Sequence, residues 1–164
     1  NAPELPESPE SPLAAAYNAL LRASRAMDAD AADQEYTDLF VGVGKSEVNL
    51  HASHWLSGFM MDKPLADLRG ELAELGIERR DGSVLLEDHL ASLAEVMRLL
   101  IAGGEGRAPA TVELQRRFFE SRIAPWALSC CDAISSCSLA NYYRPASEFA
   151  KTFLAVERDS IAMD

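Results

Sequence analysis

The chain has 164 residues, 48% apolar and 25% charged, with a net charge of −11. That length supports one globular domain with its own core, and no apolar run reaches the ~18 residues of a membrane span. The acidity argues against sequence-independent nucleic-acid binding, which relies on Lys and Arg to neutralise phosphates. It disfavours an anionic membrane surface for the same reason and favours a basic partner such as an arginine-rich peptide.

In chain order, Pro3, Pro6, Pro9 and Pro12 are separated by Glu, Ser and little else. Such a segment buries too little apolar surface to offset its ordering entropy, so residues 1–12 are expected to form a disordered lead before a domain over 13–164. The lead lacks the basic start and apolar centre of a signal peptide. The chain begins without Met, so a true N-terminus is expected upstream.

From Leu13 onward Ala and Leu dominate, β-branched residues are sparse, and no period-2 alternation appears. The spacing predicts an all-α domain. Leu13, Tyr17, Leu20, Ser24 and Met27 share a first stripe. A second helix is expected from Gln34 to Val41, capped by Asp33, and a third from Ala52 to Met60. Leu65, Leu68, Leu72 and Leu75 define a fourth, with Pro64 in its first turn and Gly76 at its end.

Asp81-Gly82 signals a turn. Leu86, Leu90, Leu93, Met97 and Leu100 define a fifth helix, stopped by Gly103-Gly104. Thr111 caps a helix carrying Leu114 and Phe118, Pro125 restarts one with Trp126, Cys130, Ile134 and Cys137 inward, and the last carries Tyr142, Ala146, Phe149, Phe153 and Val156. The three cysteines, Cys130, Cys131 and Cys137, are read as reduced core thiols of a cytosolic protein.

The stretch LFVGVGKSEVNL, Leu39 to Leu50, superficially suggests a phosphate loop. A Walker A motif ending at Gly44-Lys45-Ser46 needs glycine at position 39, which is Leu39, and a Gly-x-G-x-x-Gly motif fails at Glu47. Gly42 and Gly44 are instead expected to stop a helix and free the connection that follows.

The sharpest polar cluster is Glu87-Asp88-His89, expected in the first turn of the fifth helix, where carboxylates also serve simply to complement the helix dipole. An acid–base enzyme using His89 and Asp88 would need a further polar group converging on His89 in a closed pocket. No Gly-x-Ser-x-Gly or His-Glu-x-x-His motif occurs. His51 and His54 lie i,i+3, but no third metal ligand is close in sequence and no Cys-x-x-Cys is present, so no cofactor or metal is expected. Trp55, Phe59 and Met60 form either core or a groove for an apolar segment.

Six segments, EYTDLFVGVG (Glu35 to Gly44), ASHWLSGF (Ala52 to Phe59), KPLADLRGELAELGI (Lys63 to Ile77), EDHLASLAEVM (Glu87 to Met97), RIAPW (Arg122 to Trp126) and NYYRPASEFAKTFLAVE (Asn141 to Glu157), resemble the TorD/DmsD family of redox-enzyme maturation chaperones in order and spacing. The resemblance implies a single compact all-α domain of about seven to nine helices without catalytic turnover. It implies a cytoplasmic protein that binds the twin-arginine signal peptide, or another segment, of a molybdenum-cofactor oxidoreductase and holds it from export until cofactor insertion. Peptide-recognition roles carry over to Asp88 and His89 and to Ser53 and Trp55, with Glu87 adjacent and Phe59 in the apolar part. The alternative is an adaptor that docks the mature enzyme and ignores its leader. The family carries another helix before the Leu13 segment; an apolar patch exposed by its absence would promote a homodimer or helix exchange between chains.

Overall fold

A computed structural model describes residues 2–6, 11–80, 82–104 and 106–163. Among these the fold is all-α: α1 (Pro12–Ala26), α2 (Ala29–Tyr36), α3 (Ala52–Ser57), α4 (Lys63–Glu74), α5 (Leu90–Ala102), α6 (Val112–Phe118), α7 (Ala127–Ser136) and α8 (Tyr143–Met163), with no strand. Single wide π-helical turns, Thr37–Val41 and Phe119–Ile123, continue α2 and α6. Internal contacts divide the chain into two compact units, Asn1–Asn49 with Leu128–Asp164, and Leu50–Ala127.

In the first unit, Ser11 caps α1 and Pro12 opens it, the residue whose missing N–H costs nothing there. α1 runs antiparallel to α8, with Tyr17 edge-on to Phe149 at 6.1 Å and the Ser24 and Tyr142 hydroxyls 3.2 Å apart. Of the lead expected to be disordered, residues 7–10 lie outside the described residues. Residues 2–6 are tied to α1. The buried Asn18 amide bonds both backbone groups of Leu5, at 2.8 and 2.7 Å, and Arg25 reaches Glu4 and the Ala2 carbonyl.

α2 begins five residues before the expected Gln34. Asp28 caps it rather than Asp33, accepting from the Asp30 and Ala31 N–H groups. Glu35, buried, turns its carboxylate onto the start of α8 and accepts from the backbone N–H of Asn141, Tyr142 and Tyr143 at 2.8–3.0 Å. Beside it, Tyr36, Phe40 and Tyr143 pack as a ring cluster with centroids 5.1–6.0 Å apart.

Gly42 ends the π turn at φ +65, and a Cβ there would sit 2.2 Å from the Lys45 carbonyl oxygen. The loop closes tightly on that glycine, which accounts for the LFVGVG pattern without a phosphate. Cys130 and Cys131 are fully buried. Burial, then the neighbouring thiol, pushes Cys130 up to about 12; burial, then the Asp132 charge, pushes Cys131 up to about 11. Both are therefore unreactive core residues at neutral pH.

In the second unit, Leu65, Leu68 and Leu72 of α4 and Leu93, Val96, Met97 and Leu100 of α5 are buried together with Phe118, Phe119, Ile123 and Trp126. The Trp126 indole donates to the Arg122 carbonyl at 2.8 Å, while the Arg122 guanidinium pairs with Glu71 at 2.6 Å. α3 stops at Ser57 because Gly58 turns left-handed, so Phe59 and Met60, expected inside the helix, lie beyond it. α4 ends at Glu74 with no basic residue in its last turn. Its carbonyls are satisfied from a distance: Arg107, in the loop after α5, donates to the Leu75 and Gly76 oxygens at 2.9 and 2.7 Å.

Candidate functional site

Asp88 and His89 do not belong to the first turn of α5. The helix begins at Leu90; Glu87 and Asp88 form a turn and His89 is extended and bridges to His51 before α3: Ala52 N–H donates to the Asp88 carbonyl and Leu90 N–H to the Leu50 carbonyl, each at 2.9 Å. This pairing turns the Asp88 side chain inward. It is fully buried, and its Oδ2 accepts from the Ser53 backbone N–H at 2.9 Å and from the Ser53 hydroxyl at 2.5 Å. Asp88 thus caps α3, a helix 35 residues away whose own cap position, His51, makes no side-chain capping bond to it. Its other oxygen, Oδ1, is buried without a hydrogen-bond partner beside a cavity of about 10 Å³ that Leu56, Pro64 and Arg122 also line.

His89 caps α5 itself: its Nδ1 accepts from the Ala91 N–H at 3.1 Å. An acceptor nitrogen facing a helix start must be unprotonated, and the surroundings enforce this. Burial, then the nearby His51, lowers His89 from 6.5 to about 4 against the opposing effect of Asp88. His51 stands edge-on to it at 5.0 Å and is also lowered, chiefly by burial. Well above pH 6.5 the His89 imidazole is neutral in both folded and unfolded forms. As the pH falls below that, unfolded chains protonate first, so stability drops until about pH 4, where the folded form protonates too. That gap corresponds to roughly 3 kcal/mol. Urea midpoints between pH 7.5 and 4 should show the loss, and His89→Asn, which keeps a capping acceptor but cannot titrate, should flatten it; an unchanged pH profile would refute the assignment.

The remaining candidates lie at the surface. Trp55 is half-buried on α3, edge-on to His54. Phe59 is 71% exposed in a turn with Met61, also 71% exposed and held at φ +54, a conformation a non-glycine residue rarely adopts. Glu87 departs from its neighbours. It pairs with Arg69 of α4 at 2.9 Å and faces an open groove of about 550 Å³. Burial opposes its charge, but the Arg69 hydrogen bond, its own backbone N–H and the charges of Arg69 and Arg79 outweigh that and hold its carboxyl below the usual range.

The groove has an apolar floor from Leu72 and Ile77 on one side and Val96 and Leu99 on the other, with Leu85 in its wall. That wall, residues 77–80 and 82–87, has no helix or strand, and Arg79 crosses it to donate to the Leu85 carbonyl. Groove residues other than Glu87 were not among the sequence candidates. Their signal was the Arg79 to Ser83 turn, which marks where the chain leaves α4 but not what it encloses. Of the six candidates, the fold joins Asp88 to Ser53 and sets His89 beside them in the interior, with Glu87, Trp55 and Phe59 outside. Among the described residues no cluster of His, Cys, Asp or Glu could hold a metal ion, and no helix is long and apolar enough to cross a membrane.

The all-α fold and the family match place the chain in the class of TorD-like redox-enzyme maturation chaperones. The model of the family described as "Nitrate reductase delta subunit" matches residues 7–132, and the chain belongs to that family, whose members are chaperones for molybdoenzyme maturation. No curated protein matches the chain.

Proposed function

We propose that the protein acts in the cytoplasm, binds the twin-arginine leader of a molybdenum-cofactor oxidoreductase precursor, and delays export while the cofactor is inserted, without catalysing a reaction. The observation that carries this reading is the groove beside α4 and α5. Its volume of about 550 Å³ suits several side chains of a docked segment. Its apolar floor fits the greasy part of a leader in a helix-in-groove mode, and Glu87 on its edge supplies a carboxylate for a guanidinium. An overall charge of −11 draws a cationic leader toward the protein as a whole.

Ala91 is exposed on the groove wall, away from the core. Ala91→Trp should therefore fill the groove while leaving the melting temperature near that of the parent. Titration with a leader peptide is expected to saturate, to weaken with salt, and to lose at least about tenfold in affinity in this variant, the scale of one well-packed anchor. Equal binding by both proteins would remove the groove from the reading. Undiminished binding of a precursor lacking its leader would favour the adaptor alternative.

A further inference from the structure

Two carboxylates adjacent in sequence have different fates. Asp88 is buried and spent on Ser53. Glu87 faces the groove and a neighbouring hollow of about 190 Å³, and its ion pair is to Arg69, whose side chain is 50% exposed. Glu87's own side chain is 15% exposed, so water and salt compete for the pair mainly at its Arg69 end, and that is the end open to exchange. A second guanidinium arriving through the groove could take over the same acceptor with the same geometry, at the cost only of returning Arg69 to solvent.

We propose that Arg69 is an internal stand-in for an arginine of the client segment, occupying Glu87 until an incoming guanidinium displaces it. This rests on the groove being the client site and adds how that site discriminates. An apolar segment without arginine gains nothing from Glu87, which stays with Arg69. An arginine-bearing segment must both fill the apolar floor and win the exchange. Lysine is a poorer competitor, since a single ammonium does not reproduce the planar fork of a guanidinium. Arg69 is thus a specificity-determining residue that raises the threshold for weak or unspecific segments.

The test uses Arg69→Ala, a surface substitution, in the full chain. A leader peptide with both arginines should bind the variant about two- to fivefold more tightly than the parent, the factor matching removal of one competing cation from Glu87. The same peptide with glutamines in place of the arginines should bind both proteins alike. Independently of any leader, arginine amide should produce a saturating shift of the Glu87 carboxyl carbon signal in Arg69→Ala, a much weaker one in the parent, and none at position 87 in Arg69→Ala/Glu87→Gln. No response of Glu87 to arginine amide in the variant, or equal tightening of both peptides, would overturn the exchange. If leaders bind neither protein while arginine amide still finds Glu87, the exchange site stands and the proposed function falls.

Discussion

Glu35→Ala is expected to destabilise the protein by about 3 kcal/mol, read as a lower urea midpoint with the cooperative transition retained. The carboxylate takes three backbone N–H groups at the start of α8, and hydrogen bonds to charged groups contribute roughly 1.5–3 kcal/mol each, of which water entering the vacated space recovers a part. The helix it caps is 21 residues long and supplies Phe149 to the contact with Tyr17 of α1, so the loss should be felt as protection of amides along both helices. Glu35→Gln retains acceptor and shape while removing the charge and should fall between the two. A variant as stable as the parent would show that solvent replaces the carboxylate without cost.

Asp88→Ala is expected to have a comparable effect, about 3 kcal/mol, and through folding rather than through lost contact with a partner. Truncation strands the Ser53 N–H and hydroxyl in a site where both are fully buried, and buried donors without acceptors cost on the order of 1–3 kcal/mol each. Loss of leader binding in this variant would therefore be uninterpretable without a melting curve at the same temperature. Groove contacts are better tested at Glu87 and Ala91. A melt of Asp88→Ala superimposable on the parent would show that the carboxylate does not hold α3.

The sequence spacing marked most helices because their stripes are long and apolar: Leu65, Leu68 and Leu72, and Leu93, Met97 and Leu100, are all buried as the 3.6-residue period requires. It found the end of α2 and its π turn at Val41 but missed the start, since ADAADQEY has no strong stripe and is held by its Asp28 cap and by Glu35 reaching α8. It placed the start of α5 too early because Leu86 continues the apolar period, whereas the backbone at 88–90 is committed to residues 50–52, a pairing that no local pattern can display.

The same connection explains why the polar triplet dissolved as a unit. Glu87 and Asp88 sit in a turn closed by the His89 N–H on the Leu86 carbonyl at 3.2 Å, and His89 is extended, so Glu87 meets the groove, Asp88 the interior and His89 its own helix start. The groove was invisible for a related reason. Of its floor residues, Leu72, Val96 and Leu99 are ordinary apolar positions in their own helices, and the path of the chain between α4 and α5 leaves them uncovered.

The fastening of Arg107 to the Leu75 and Gly76 carbonyls has a consequence for anyone wishing to engineer the molecule. The glycine-rich connection after α5 looks on paper like a tolerant place for a tag or fluorophore. Yet Gly103 sits where a Cβ would be 2.5 Å from the Arg107 carbonyl oxygen, and lengthening that connection would pull the guanidinium off the end of α4, directly before the strip of chain that borders the groove. Val84, 91% exposed on that strip, is the safer attachment point, since a dye placed there displaces no packed side chain.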